Sequence, residues 1–163
     1  MSERGSSAPR TDRARSARAG RRLALASIFE AEFGQHTARD VLDRHLAESG
    51  EDPAMRELAS SIVDAVVLHR DRIDVAIEQA APQYPLVSFA RMDRSLLRCA
   101  LGEVLHSATP ARVAIAEWVE LARTYSGDPM RRLMNGVLGR IASEASAAPA
   151  RRGTSRPPGP SST

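Results

Sequence analysis

At 163 residues with 42% hydrophobic content, the chain is long enough for one domain with a sizeable core plus tails. Its single cysteine, Cys99, excludes an intrachain disulfide, no apolar run reaches the ~18 residues of a membrane span, and the N-terminus lacks the apolar segment of a secretory signal, so a soluble cytoplasmic protein is expected. The formal net charge of +3 is segregated: +5 over residues 1–22, −5 over 23–150 and +3 over 151–163, with arginine as the basic residue throughout and no lysine.

Residues 1–15 are rich in Ser, Gly and Arg without apolar periodicity, and the Pro-rich basic tail 148–163 is alike, so both are expected to be disordered in isolation. Clustered cations on such ends read as polyanion-binding arms, because they neutralise phosphates and release counterions. A guanidinium can also fork onto phosphate and stack on a base. Between the ends, over 16–147, apolar residues recur at helical spacing almost everywhere, which predicts an all-α body of about six to seven helices.

The first helix is predicted over 16–33, with Leu25, Ile28, Phe29 and Phe33 on one face and Arg15, Arg18, Arg21 and Arg22 at and just after its start. Cations there oppose the helix dipole, at ~0.3–1 kcal/mol per exposed charge, a placement that makes more sense if an anion docks alongside. A short second helix follows with Val41, Leu42, His45 and Leu46 as its apolar side. Three later helices announce themselves by a capping residue before proline: Asp52-Pro53, Thr109-Pro110 and Asp128-Pro129.

After Asp52 the series Met55, Leu58, Ile62, Val66, His69, Ile73 and Ile77 runs to Pro82, with a break expected near His69. Phe89, Met92, Leu96, Leu97, Ala100, Leu101, Val104 and Leu105 form the most regular stripe, hence the central and most buried helix. The helix after Thr109 ends at Ser126-Gly127, glycine suiting the backbone past a helix end. In the last helix Gly136 implies close approach by a neighbouring helix or a ligand.

Chemistry is sparse. His36, His45, His69 and His106 are scattered, Cys99 has no partner, and there is no phosphate-cradling loop and no strand to hang one on, so neither a metal, nor a cofactor, nor catalysis is expected. Glu117 and Glu120 share a helix face, and solvated surface charge is preferred there over an acid and base couple. Arg94 and Arg98 are a like-charge i,i+4 pair, and Asp93 and Glu103 face elsewhere, so these charges need partners beyond their own helix, in neighbouring helices or at a protein interface.

The run Met92-Asp93-Arg94-Ser95-Leu96-Leu97-Arg98-Cys99-Ala100-Leu101-Gly102-Glu103-Val104-Leu105 resembles the NusB family's pattern of an acidic residue, Leu-Arg, and Glu before two apolar residues. Val113-Ala114-Ile115-Ala116-Glu117-Trp118-Val119-Glu120-Leu121-Ala122-Arg123 is similar to that family's Val-Ala-Ile-Asn-Glu-x-Val-Glu-Leu-Ala-Lys, and Asn135-Gly136-Val137-Leu138 matches its Asn-Gly-Val-Leu. Ile73-Asp74 and the Arg-rich approach to Ser27-Ile28-Phe29 fall in register, so the resemblance spans about 15–144.

The resemblance implies two small helical bundles packed together and a role in transcription antitermination. Its implied partners are boxA-type single-stranded RNA, the small-subunit ribosomal protein NusE and the transcription elongation complex, with no membrane partner. On this basis Arg15, Arg18, Arg21 and Arg22 are assigned to phosphate, Tyr125 and Arg132 assist RNA binding, and Phe29 and Asp93 look toward NusE. Three departures stand out: Ala116 for the usual Asn, Ala65 where Gly is common, and Leu133 where an aromatic often sits. Leu133 removes a base-stacking ring, a contact worth ~1 to 3 kcal/mol.

Three rivals remain open at this point. An RNA methyltransferase with a NusB-like domain would need sequence beyond this chain. A pure interaction module, as a homodimer, would bind no specific RNA. A helix-turn-helix DNA binder would need a basic, amide-rich recognition helix that the last two helices do not offer.

Overall fold

The computed structural model of the chain describes residues 9–148; residues 1–8 and 149–163, which hold most of the expected arm and tail, lie outside the described residues. Six α-helices follow in order: α1 Arg10–Ala31, α2 Ala38–Glu48, α3 Pro53–Ala80, α4 Arg91–His106, α5 Ala111–Tyr125 and α6 Asp128–Ala147, with a short 3-10 turn at Leu86–Ser88. Among the described residues there is no strand, and no helix is long and apolar enough to cross a membrane. The all-α expectation holds, with α1 to α3 as one small bundle and α4 to α6 as the other. α4 packs on α1 and α3 across the join.

One apolar core runs through both bundles, collecting Leu25 and Ile28 of α1, Leu42 of α2, Ile62 and Ile73 of α3, Leu97 and Leu101 of α4, Trp118 of α5 and Met134 and Leu138 of α6. α4 is the central helix, as its stripe predicts, with every residue from Ser95 to Glu103 buried. α3 continues through the expected break: His69 has non-helical angles (φ −116°, ψ 19°) and kinks it. Its imidazole stacks on His106 at the end of α4, ring centroids 3.9 Å apart. Burial, then the neighbouring His69 and Arg72, hold the His106 imidazole below its ordinary pKa.

Two boundaries differ from expectation. α1 begins at Arg10, not near residue 16. Pro9 precedes it, Asp12 complements the dipole in the first turn, and Arg and Ala propagate a helix well without a packed face. Arg18, Arg21 and Arg22 therefore stand at least two turns inside the helix, where the dipole penalty has faded, and that part of the case for an anion falls away.

Of the three expected caps only Asp52 works, accepting from the backbone N–H of Ala54 (3.1 Å) and Met55 (3.4 Å) while Ser16 of α1 donates to its other oxygen at 2.5 Å. Thr109 makes no cap, and Asp128 turns to Arg131 at 3.0 Å. Thr37, unforeseen, caps α2 by accepting from Asp40 N–H.

The glycines where helices touch are not the one expected. A Cβ on Gly20 would sit 2.8 Å from the Met55 carbonyl oxygen, and one on Gly102 would sit 3.1 Å from Val66 Cγ2. Gly136 is exposed and a Cβ there would meet nothing within 4 Å, so no neighbouring helix requires it. Gly20→Ala should therefore cost about 1–3 kcal/mol by forcing α1 off the α3 backbone, seen as a melting point lower by several degrees. Gly136→Ala should move the other way by ~1 kcal/mol, through helix propensity alone.

Candidate nucleic-acid interface

Spacings of three and four along α1 put Arg15, Arg18, Arg22, Ala26 and Phe29 on one stripe, which Phe33 extends just past the helix end. Arg15, Arg18 and Arg22 are exposed on that stripe. Arg21 is not among them. It shares a face with Ala24 and Ile28, is only 3% exposed, and forks onto the fully buried Glu103 of α4, Nε to Oε2 at 2.9 Å and Nη2 to Oε1 at 2.7 Å. Trp118 Nε1 donates to the same Oε2 at 2.6 Å, so Glu103 ties α1, α4 and α5 together. Arg21 is thus a core residue, and its expected phosphate role is corrected: both ends of its bidentate edge are spent inside the protein.

Two of these exposed arginines, Arg18 and Arg22, border a groove between α1 and α5 with a volume of about 440 Å³, lined also by Ala116, Glu117, Glu120, Leu121 and Thr124. Ala116, which stands for the usual Asn, lies on its wall. Two carboxylates also lie there, each held by an arginine. Arg18 donates to Glu117 through Nε (3.1 Å) and Nη2 (3.4 Å), and Arg123 hydrogen-bonds Glu120 one turn back on α5. The bond to Glu117, then its charge, raises the Arg18 pKa, while Arg123 lowers that of Glu120 in the same way. Arg15 and Arg22 make no ion pair with the described residues. Tyr125 and Arg132 are both exposed, but neither lines this groove; they sit at the end of α5 and on α6.

The other end of the stripe meets α4. Glu32, just past α1, accepts from Arg70 of α3 and from Arg94 and Arg98 of α4, and Arg98 also forks onto Asp74 at 2.8 and 3.1 Å. The like-charge pair Arg94 and Arg98 is thereby reconciled by carboxylates from neighbouring helices. This knot fixes the ends of α1 and α4 side by side. Phe29, half-buried, meets Phe33 edge to face at 5.4 Å, and the Arg91 guanidinium lies 4.6 Å over the Phe33 ring.

Asp93, in the first turn of α4, is half-buried without an ion pair among the described residues. It faces a cleft of about 240 Å³ walled by Tyr84, Phe89, Ser126, Pro129, Met130 and Leu133. Leu133, where an aromatic is common, therefore lines the Asp93 cleft and not the arginine groove. Phe33, placed on the core face by sequence, is 52% exposed, and neither it nor Arg91 carried a signal as a surface residue.

Comparison with known proteins identifies the family and the fold. The model of the NusB family matches residues 18–143. The transcription antitermination protein NusB of Dehalococcoides mccartyi is 36% identical over 127 residues, covering 77% of this chain and 89% of that protein. Among solved structures, T. maritima NusB superposes with a TM-score of 0.71 at 26% identity, covering 78% of this chain and 91% of that one. A crystal structure described as antitermination factors NusB and NusE in complex with double-stranded RNA matches with a TM-score of 0.68 at 22% identity, covering 80% of this chain and 98% of that one, a likeness of fold. With a family match over most of the described residues and a relative above one-third identity, the chain belongs to the NusB family of transcription antitermination proteins, a family of factors and not of enzymes.

Proposed function

We propose that this chain binds boxA-type single-stranded RNA together with NusE and, as part of the transcription elongation complex, supports transcription of ribosomal RNA operons. The observation that carries the reading is the α1 stripe. Exposed Arg18 and Arg22 border the groove against α5, exposed Arg15 precedes them by one turn on the same stripe, and the stripe runs on to Phe29 and Phe33 beside α4. Phosphate contacts position a nucleic acid, and single-stranded bases need open edges and stacking faces nearby. The arginines supply the first; the exposed Tyr125 and the Arg132 guanidinium supply candidate faces for the second.

The aromatic end of the stripe, and the Asp93 cleft with its apolar walls and half-buried carboxylate, are each suited to a protein partner such as NusE. Support also comes from the fold-alike in which a NusB, a NusE and RNA were crystallised together. RNA on one end of α1 and protein on the other leaves room for both at once.

Fluorescence anisotropy of a labelled boxA-like RNA, titrated with and without NusE, tests this. Binding should tighten when NusE is present and weaken when the RNA is scrambled. Equal binding to both RNAs and no NusE effect would leave a helical interaction module without RNA specificity.

A further inference from the structure

Glu117 occupies the position in the arginine groove that an incoming phosphate would take. Its carboxylate holds the Nε and Nη2 edge of Arg18, which is the edge that grips a phosphate bidentately. The two partners are unequal. Arg18 is 57% exposed, whereas the Glu117 side chain is 24% exposed and has a second cation behind it, Arg21 Nη1 at 4.0 Å from Oε2. Arg21 is itself fixed by its fork onto the buried Glu103. Glu117 is therefore the anchored member and Arg18 the one free to swing.

Resting on the RNA-binding reading above, we propose that Glu117 is a built-in competitor of the ligand: an internal carboxylate that occupies Arg18 in the free protein and must be exchanged for a phosphate oxygen. The exchange costs little. An exposed ion pair is weak, and when Arg18 leaves, Glu117 keeps Arg21 as its counter-charge. The bared carboxylate then repels any phosphate that is not held closely by Arg18 and Arg22, so weakly fitting polyanions are discouraged. Glu120 adds a second carboxylate to the same wall, already occupied by Arg123. A groove in which Arg18 carries its own anion has a lower resting affinity for nucleic acid than its count of cations suggests.

The opposite role, Glu117 as a brace that orients Arg18 for phosphate, predicts the opposite sign, so one substitution separates them. Glu117→Gln keeps the shape and an acceptor while removing the charge. In anisotropy titrations of full-length protein with the boxA-like RNA at low salt, this variant should bind roughly two- to fivefold tighter than wild type. The gain should shrink as salt rises, and it should vanish in an Arg18→Ala background, where there is nothing left to release. Inorganic tripolyphosphate, which has the charge without bases, should show the same ratio as a competitor.

Melting curves on each variant confirm that folded proteins are compared. Should Glu117→Gln bind RNA equally or more weakly, while wild type binds, the competitor role is overturned and RNA binding stands. Failure of every variant to bind RNA overturns the RNA reading, and direct calorimetric titration of the same variants with tripolyphosphate then decides the competitor role alone.

Discussion

Glu103→Ala is expected to destabilise the protein by about 3–5 kcal/mol, because it strips a buried guanidinium of its bidentate partner. Arg21 would lose both of its short hydrogen bonds while remaining walled off from water, and Trp118 Nε1 would lose its acceptor. For a body of this size that loss should lower the melting temperature by ten degrees or more. Glu103→Gln, which keeps the shape and one acceptor oxygen, should cost less. The double variant Glu103→Leu with Arg21→Met removes both charges together and should recover much of the loss, since two apolar groups of similar volume leave no buried ion unpaired. A double variant no more stable than Glu103→Ala would mean that the deficit comes from packing and not from the stranded charge.

The same pair shows how far the sequence could be read. Helical periodicity located all six helices, and the stripe through Leu96, Leu97 and Ala100 identified α4 as central, because apolar spacing records burial directly. Periodicity does not see helix that extends beyond the core, and so α1 from Arg10 to Arg15 was expected to be loose chain. Capping residues before proline marked boundaries well, yet a cap is a hydrogen bond, and Asp128 had Arg131 as a competing partner one turn away.

The assignment of Arg21 to phosphate failed for a more instructive reason. Four arginines are close in sequence, but Arg21 shares its face with Ala24 and Ile28 while Arg15, Arg18 and Arg22 lie on another. A lone arginine on an apolar face calls for a carboxylate from another helix, and Glu103, buried on α4, meets that need. Glu117 was harder to place. Its i,i+3 relation to Glu120 suggests an ordinary wet helix face, and only the approach of α1 puts Arg18 against it.

The three arginines that remain on the surface lead to the second large effect. Replacing Arg15, Arg18 and Arg22 together by Ala should weaken binding of a boxA-like RNA at low salt roughly 100-fold, at about 1 kcal/mol for each lost phosphate contact. The slope of log affinity against log salt should fall by about two units, each single-strand contact contributing ~0.7. Stability should hardly change, because all three are exposed and outside the core. Glu117, bared by the loss of Arg18, still faces Arg21.

Arg21→Ala should behave in the reverse manner, lowering the melting temperature sharply by leaving Glu103 unpaired while the folded fraction keeps the wild-type salt slope. Measuring slope and melting temperature on both variants separates a phosphate contact from a core ion pair, which affinity alone at one salt concentration does not do. A triple variant with an unchanged slope would move the phosphate contacts off α1 altogether.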